Sequence, residues 1–365
     1  MNASPMTSAA PLVSDISSDL SPRLEPELAA AIAEKGFTRL TKVQEAVLAP
    51  ELQDRDLRIS SQTGSGKTVA IGLSLRHVLL GPSPDGTDTR ARALVIVPTR
   101  ELAAQVRDEL SWLYSKVRLR IATVTGGASY REEHRALARG PRVIVGTPGR
   151  LLDHLTRGAI DPSAIGTVVL DEADRMLDLG FREELEAILK ALPSGHRTHL
   201  VSATFARDVT ALADRVQSNA ARVEGTPLGS ANADIDHVLY LIDPRERVDA
   251  LINVLLERPD DQTLIFARTR ADVSEVTLEL QRAGFAAGAL TGEMEQASRV
   301  RTLAAFKNGE LRLLVATDVA ARGIDVQDVS RVVQLEPPSS PDPYTHRSGR
   351  TGRAGRKGTS IVLVP

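Results

Sequence analysis

A glycine-rich segment, Ser61–Thr68, holds the residues with the clearest chemical potential in this chain. It follows a short apolar run and leads into a second apolar run that is typical of a helix. Gly64 and Gly66 let the backbone curl, so that several N–H groups can point into one hollow. The helix N-terminus behind the loop adds positive potential, and the hollow is therefore suited to phosphate.

Two side chains at the end of this segment fit a bound nucleotide. Lys67 would reach the outer phosphates, and Thr68 would place its hydroxyl on Mg²⁺. One residue departs from the usual phosphate-loop pattern, because Ser61 stands where a first glycine is expected. The alternative is a glycine-serine loop that caps an ordinary helix. If the segment is a phosphate loop, its nucleotide contacts are Thr63, Gly64, Ser65, Gly66, Lys67 and Thr68.

Carboxylates directly follow an apolar run, Thr167–Leu170, that we predict to be a buried strand. The tetrad after this run is Asp171-Glu172-Ala173-Asp174. Beside a phosphate loop, Asp171 could hold Mg²⁺ through water, and Glu172 could orient or deprotonate an attacking water. The alternative is an acidic helix N-terminus, which the helix dipole favours.

Small hydroxyl residues follow another predicted strand, Thr198–Val201. Ser202 and Thr204 could bond to Asp174 and so link the state of the nucleotide to the position of a domain. The alternative for Ser202-Ala203-Thr204 is a helix N-cap.

A basic segment near the end of the chain, residues 346–358, carries five Arg or Lys side chains and no acidic one. Arg350 and Arg353 would share one side of a helix if this segment is helical. Both could then face the γ-phosphate from a second domain. The alternative is a solvated patch, or one that binds nucleic acids in general.

Three shorter pieces at strand ends could bind anions through backbone N–H groups. Pro98–Glu101 and Thr147–Arg150 each follow an apolar run, begin a helix and contain an arginine, and Gly126-Gly127 follows Thr125. Such groups contact phosphates without reading bases. Each piece alone could be routine helix capping, but three together favour a surface that follows a nucleic-acid backbone.

Composition excludes several other kinds of site. The 365 residues include no cysteine, so disulfides, iron–sulfur clusters and cysteine zinc sites are excluded, and a reducing, cytoplasmic location is expected. The net charge of −2 requires any nucleic-acid surface to be a local basic stripe. Aromatic residues are 3% of the chain, which disfavours binding by several stacked bases. No apolar run approaches the length of a membrane span, and the first residues do not resemble a signal peptide.

Short apolar strands alternate with amphipathic helices, which predicts parallel sheets with helices on both faces. We predict a flexible tail at 1–20, one domain at 21–223, a flexible linker at 224–233 and a second domain at 234–365. The predicted helices include Leu24–Lys35, Glu101–Leu110 and Glu183–Leu192. The predicted strands of the first domain include Leu57–Ser60, Ala93–Val97, Ile121–Thr125, Arg142–Val145, Thr167–Leu170 and Thr198–Val201. Those of the second are His237–Ile242, Thr263–Phe266, Ala286–Leu290, Leu311–Val315, Arg331–Leu335 and Ser360–Val364.

The order of these pieces resembles the DEAD-box RNA helicases of superfamily 2 over about residues 20–365. Further matching pieces are Gln44, Phe266-Ala267-Arg268-Thr269, Gln296 with Arg299, and the run from Ala316 to Asp325. Ser348 within His346-Arg347-Ser348-Gly349-Arg350 resembles the bacterial heat-resistant RNA-dependent ATPase branch.

The resemblance implies two RecA-like domains that close over ATP, Mg²⁺ and single-stranded RNA, hydrolyse ATP and open short duplexes locally. It implies catalysis by Lys67, Asp171, Glu172, Arg350 and Arg353, with Arg350 and Arg353 as arginine fingers. Gln44 would pair with the edge of adenine, and Asp325 would contact the ribose. Asp174, Ser202, Thr204 and His346 would couple the two activities. The implied RNA-backbone contacts are Thr99, Arg100, Gly127, Thr147, Arg150, Arg268, Gln296, Arg299, Thr317 and Arg322.

The chain departs from the family pattern in three places. Leu40-Thr41-Lys42-Val43-Gln44 replaces the usual Pro-Thr-Pro-Ile-Gln, and residues 1–36 contain no aromatic ring to stack on adenine. We expect Phe37, the nearest ring, to pack beneath the preceding helix. Because the chain stops at Pro365, we also expect the last helix of the domain and any C-terminal extension to be absent.

Two other functions are compatible with parts of the pattern. A DNA-directed translocase of the same superfamily would use the same ATP chemistry, but the Asp-Glu-Ala-Asp tetrad and Ser-Ala-Thr argue against it. A non-catalytic RNA clamp would not need Lys67, Glu172, Arg350 and Arg353, all of which are present. The sequence does not identify the RNA target or any protein partner.

Overall fold

The computed structural model describes residues 23–60, 65–81, 89–117, 119–224, 234–321, 329–338, 341–352 and 357–365. The described residues up to 224 form one compact unit, and those from 234 onward form another. The predicted tail at 1–20 and the predicted linker residues 225–233 lie outside the described residues. The exact domain limits therefore stay a prediction.

The first unit is built on a seven-stranded sheet, counted over its described residues. Neighbouring strands run parallel in the order β3-β4-β2-β5-β6-β1-β7. The strands are β1 (Leu57–Ser60), β2 (Ala93–Ile96), β3 (Ile121–Val124), β4 (Val143–Gly146), β5 (Thr167–Asp171), β6 (Arg197–Ser202) and β7 (Ala221–Glu224). The C-terminal ends of parallel strands lie on the same side of a sheet. Most of the candidate site residues of this unit follow these strand ends.

Helices cover both faces of this sheet. In order they are α1 (Pro26–Glu34), α2 (Lys42–Ala46), α3 (Lys67–Ser74), α4 (Arg76–Leu80), α5 (Arg100–Leu113), α6 (Tyr130–Ala138), α7 (Pro148–Thr156), α8 (Ala173–Asp178), α9 (Arg182–Ala191) and α10 (Arg207–Val216). The three helices predicted in this unit correspond to α1, α5 and α9, with ends that shift by up to three residues.

The central strand β2 shows why a continuous apolar run folds as it does here. Val95 belongs to a core layer formed with α3 and α5, and Leu94 and Ile96 belong to a layer formed with α7, α9 and α10. All three side chains are fully buried. A strand buried on both faces is typical of a parallel sheet between two helix layers, and the predicted architecture is confirmed.

The edge strand β7 was missing from the sequence prediction. Its residues alternate between buried and exposed positions, and it pairs with β1. Asp56 holds the surrounding backbone, because its carboxylate accepts from the N–H groups of Thr198 at 2.8 Å and Ser218 at 2.6 Å. The Asp56 carbonyl accepts from the N–H of Ala221 at 2.8 Å. A four-residue strand beside a predicted linker gives too weak a pattern to identify without these tertiary bonds.

The second unit contains a six-stranded parallel sheet in the order β10-β11-β9-β12-β13-β8, again among described residues. The strands are β8 (Ile235–Leu241), β9 (Thr263–Phe266), β10 (Ala287–Leu290), β11 (Leu313–Ala316), β12 (Arg331–Gln334) and β13 (Gly358–Val364). The helices are α11 (Arg247–Leu256), α12 (Arg270–Arg282), α13 (Gln296–Lys307), α14 (Asp318–Ala321) and α15 (Pro341–Ser348). All six strands predicted for this unit are present.

A buried arginine joins one helix of the second unit to its sheet. Arg331 in β12 is 2% exposed, and it donates to the carbonyl oxygens of Val254 at 2.7 Å and Arg258 at 3.0 Å. Burial lowers the pKa of Arg331 from its ordinary value. The C-terminal end of α11 thereby gains a charged donor, which a helix dipole favours.

We predict that His199 makes the first unit sensitive to acid. This ring lies in β6, it is 3% exposed, and burial lowers its pKa to about 3. The unfolded ring titrates near its ordinary pKa of about 6.5. The unfolded chain therefore binds more protons between these values, and the stability contribution present above pH 6.5 is lost as the pH falls towards 3.

The loss should amount to about 2 kcal/mol between pH 7 and pH 5, and it should be absent in His199→Leu. Urea unfolding at both pH values can be followed by fluorescence of Trp112, the single tryptophan of the chain, which lies in the first unit. Equal pH dependence in the wild type and the variant would contradict this assignment.

Candidate functional site

The predicted phosphate loop meets its helix at Gly66. This residue has φ +83° and caps α3, which begins at Lys67. A Cβ at Gly66 would also collide with the side-chain amide of Gln44, so the position needs glycine for its backbone conformation and for close approach. Lys67, Thr68 and Ser65 are half-buried, whereas Thr63 and Gly64 lie outside the described residues.

Gln44 contacts the phosphate loop directly. It is 7% exposed, its Oε1 accepts from the N–H of Thr41 at 2.9 Å, and its Nε2 donates to the carbonyl of Gly66 at 3.1 Å. The amide therefore ties α2 to the loop. Pairing with adenine would use its second N–H and its second lone pair.

Asp171 is the last residue of β5 and it is 3% exposed. Burial raises the pKa of its carboxyl to about 7, and the positive charge of Lys67 opposes that rise. Its Oδ1 accepts from the N–H of Glu172 at 2.9 Å. A buried carboxylate that interacts with the charge of the phosphate-loop lysine is one of the hard oxygen ligands that Mg²⁺ prefers. The donor set of Lys67, Thr68 and Asp171 therefore fits a magnesium–nucleotide complex.

Glu172 has an unusual backbone conformation for its type. Its φ of +53° and ψ of +51° place it in the left-handed region, immediately before α8. Non-glycine residues are held in such conformations mainly where surrounding structure requires it, as at functional sites. Its Oε2 lies 3.0 Å from a guanidinium nitrogen of Arg175, a partner that no sequence motif indicates.

Asp174 and Thr204 join the carboxylate tetrad to the end of β6. The Asp174 Oδ2 accepts from the N–H of Thr204 at 3.3 Å and from its hydroxyl at 3.2 Å. Ser202 is buried, and its hydroxyl donates to the carbonyl of Thr204 at 2.6 Å. The structure therefore brings all three residues together inside the first unit.

A tight turn after β3 lies against the start of α5. Gly127 has φ +81°, and a Cβ there would collide with the guanidinium of Arg100. The Arg100 guanidinium thus rests on the turn formed by Gly126 and Gly127. Thr99 caps α5, because its hydroxyl accepts from the N–H of Leu102 at 3.3 Å.

Arg150 reaches the same turn from α7. Its Nε donates to the carbonyl of Thr125 at 3.3 Å, and its Nη2 donates to the carbonyl of Ala128 at 2.8 Å. Its side chain is 9% exposed. Thr147, the predicted RNA contact at the start of α7, is half-buried. Thr99, Arg100, Gly127, Thr147 and Arg150 are therefore gathered at one sheet edge.

In the second unit, two of the predicted contacts, Thr317 and Arg299, bond to α14. Thr317 is 8% exposed, and its hydroxyl accepts from the N–H of Ala320 at 3.3 Å. Arg299 donates to the carbonyl of Ala320 at 2.8 Å. Arg268 is 80% exposed. Arg322 and Asp325 lie outside the described residues, as does the side chain of Gln296.

Arg347 was counted in the basic segment without a role of its own. Its guanidinium forms a two-bond ion pair with Asp318, at 2.7 and 2.6 Å, and so holds the start of α14. The helix α15 ends at Ser348, so Arg350 lies beyond it, and Arg350 is 7% exposed. Arg353 and the side chain of His346 lie outside the described residues.

The expectation that Phe37 packs beneath the preceding helix is wrong. Its side chain is 50% exposed, and its ring centroid lies 6.3 Å from that of Trp112. Trp112 is anchored by its own bond to Glu109, at 2.8 Å. The residue offers a surface contact that the sequence pattern did not indicate.

Two features are absent from the part of the chain that the structure describes. No group of three or more His, Asp or Glu side chains there could form an all-protein metal site. Within the same ranges, no helix is long and apolar enough to cross a membrane.

Comparisons with known proteins agree with the arrangement of both sheets. The DEAD/DEAH box helicase family model matches residues 41–212, and the helicase conserved C-terminal domain model matches residues 246–355. The ATP-dependent RNA helicase DbpA of Bacillus subtilis is 36% identical over 94% of this chain and 70% of its own length. The DEAD-box ATP-dependent RNA helicase CshA of Bacillus licheniformis is 38% identical over 94% of this chain and 69% of its own length.

The solved structure of Dbp5 from S. cerevisiae, bound to RNA and ADP BeF3, has a TM-score of 0.81 to this chain. It is 30% identical over 96% of this chain and 88% of its own. The narrower resemblance to the heat-resistant branch stays a prediction. The paired family models, the relatives over most of their length and the shared fold show that this chain belongs to the DEAD-box RNA helicase family.

Proposed function

We propose that this chain hydrolyses ATP when RNA is bound, and that it uses the cycle of domain closure to open short RNA duplexes locally. The observation that carries the proposal is the set of residues at the C-terminal ends of the strands in the first unit. There, the buried Asp171 carboxylate opposite Lys67 shares one edge with the turn of Gly126 and Gly127. Nucleotide and nucleic-acid chemistry are thus supported by strand ends of the same sheet.

The nucleotide would be held by the phosphate loop and the N-terminus of α3. Lys67 would bind the outer phosphates, and Thr68 and Asp171 would hold Mg²⁺. The metal would neutralise charge that develops on the phosphates. Glu172 would accept the proton of the attacking water. It follows Asp171 directly, and its left-handed backbone conformation is of the kind held at functional sites. Other proposed nucleotide contacts are Gln44, Thr63, Gly64, Ser65, Gly66 and Asp325.

RNA would be bound through its phosphate–sugar backbone, since the proposed contacts are backbone N–H groups, hydroxyls and arginines. The Dbp5 relative bound to RNA supports this assignment. The proposed contacts are Thr99, Arg100, Gly127, Thr147, Arg150, Arg268, Gln296, Arg299, Thr317 and Arg322. Because they read no bases, the chain should act on many RNA sequences.

Coupling between the two activities is proposed for Asp174, Ser202, Thr204 and His346, and transition-state stabilisation for Arg350 and Arg353. The Asp174–Thr204 bonds support the first assignment, because they join the catalytic tetrad to a second strand end. The lack of cysteine supports a reducing, cytoplasmic location.

ATP turnover with a panel of nucleic acids tests the proposal. We expect single-stranded RNA to stimulate turnover at least tenfold, because RNA must complete the active arrangement, and DNA of the same sequence to stimulate weakly. Phosphate release measured with and without each nucleic acid gives the result. Equal stimulation by DNA would favour a translocase, and no turnover with saturating RNA and Mg²⁺ would favour a clamp.

Glu172→Gln should reduce RNA-stimulated turnover by roughly 10²–10⁴-fold, the usual contribution of a general base. ATP binding should be nearly unchanged, because the amide keeps the volume and can still accept a bond from Arg175, whereas it cannot take the proton of a water. Single-turnover hydrolysis and fluorescent-nucleotide binding measure the two effects. Glu183→Gln, an exposed site in α9, is the matched control. Wild-type turnover in Glu172→Gln would remove this carboxylate from the mechanism.

Gly127→Ala should weaken RNA binding about tenfold, because alanine in the left-handed region costs roughly 1–2 kcal/mol and its Cβ displaces Arg100. Gly126→Ala is the matched control in the same turn, since a Cβ there meets Arg100 only at 3.5 Å. RNA affinity can be measured by fluorescence anisotropy with a non-hydrolysable ATP analogue. Equal losses in the two variants would show that the special conformation of Gly127 does not matter.

A further inference from the structure

A buried carboxylate in the first unit has no place in the proposed chemistry. Glu133 lies in the first turn of α6 and is 4% exposed. Its Oε1 accepts from the N–H of Thr125 at 2.8 Å. Its Oε2 lies 2.8 Å from the Nε2 of His154 and 3.3 Å from the Nε of Arg150. Burying a charge costs free energy unless the charge is paired. The three partners of Glu133 therefore indicate what its carboxylate does in the structure.

All three partners belong to elements of the proposed RNA surface. Thr125 is the residue directly before Gly126 and Gly127. Arg150 ends the Thr147–Arg150 piece, and His154 lies one turn further along α7. Glu133 therefore bonds both to the turn and to the start of α7.

An aromatic ring supports the same arginine. The guanidinium of Arg150 lies 3.9 Å from the ring centroid of Tyr130, a geometry that gives a cation–π attraction. The Tyr130 ring also lies 5.3 Å from the ring of His154. Arg150 is thus held by a carboxylate, an aromatic ring and two carbonyl oxygens of the turn.

We propose that Glu133 is a positioning residue for RNA binding, which fixes Arg150 and the turn at residues 125–128 in the conformation that receives an RNA phosphate. This inference rests on the proposed RNA-binding function of that surface. A turn fixed before binding loses less conformational freedom when RNA arrives, and so binds more tightly. Glu133 would act through its neighbours without contacting RNA.

Glu133→Gln tests the proposal with little change in volume. The amide oxygen can still accept from the N–H of Thr125, but the amide nitrogen places a donor against the Nε of Arg150. We expect the RNA concentration for half-maximal ATPase stimulation to rise about tenfold, since bonds to charged groups are among the stronger ones. Turnover at saturating RNA and the affinity for ATP without RNA should stay within twofold of the wild type.

Glu132→Gln is the matched control, because it removes the same charge from the same helix turn at an exposed position. It should behave as the wild type. Tyr130→Leu provides a second variant that leaves the buried carboxylate in place, and it should raise the half-maximal RNA concentration in the same direction. It keeps the proposal testable if Glu133→Gln does not fold.

A double-variant cycle with Arg150→Ala separates positioning from general stability. If Glu133 acts through Arg150, the double variant should bind RNA no more weakly than Arg150→Ala alone. Additive losses would overturn the proposal. So would Glu133→Gln behaving as Glu132→Gln, or a fall in turnover at saturating RNA without any change in the half-maximal RNA concentration.

The wild-type measurement distinguishes failure of this inference from failure of the proposed function. If RNA does not stimulate the wild type, the function itself is wrong. If RNA stimulates the wild type and both Glu133→Gln and Tyr130→Leu match it, only the positioning role of Glu133 is wrong.

Discussion

The nucleotide side of the molecule depends on one buried carboxylate and on the lysine whose positive charge lowers the cost of burying it. Asp171 ends a fully buried strand, so it has lost most of its water, and its pKa rises to about 7. Lys67 offsets part of that cost from the start of α3. Both residues are held by rigid elements, because β5 lies inside the sheet and the helix start is fixed by Gly66 and Gln44. A cation and a polyphosphate would complete this balance of charge.

The nucleic-acid side is built on a different principle, in which arginines shape the backbone of their own chain. The turn after β3 contacts two guanidinium groups, with Arg100 against Gly127 and Arg150 on the carbonyls of Thr125 and Ala128. The second unit repeats this use of arginine, since Arg299 donates to the carbonyl of Ala320 in α14. In both units, charged side chains fix short backbone segments at strand ends.

Most of the fold was predicted from the sequence because the central strands of both sheets are buried on two faces and form continuous apolar runs. Twelve of the thirteen described strands were predicted, including β8, which is largely exposed. The exception, β7, is a four-residue edge strand whose placement depends on Asp56 and its bonds to distant N–H groups. Phe37 was misplaced for a related reason, because its ring contact is with Trp112, a residue far away along the chain.

The sequence by itself determined the identity and order of the chemical groups, because phosphate and metal chemistry requires particular residues at short spacings, as in Gly66-Lys67-Thr68 and Asp171-Glu172. Only the tertiary structure decided which of these groups bond to the protein's own backbone and side chains. The sequence indicated that Arg150 contacts a phosphate, and in the structure its guanidinium is engaged by a turn 22 residues earlier and by Glu133. The reason is physical: the partners of a buried charge are set by how helices pack on the sheet, and that packing leaves no local pattern at Glu133 or Arg150.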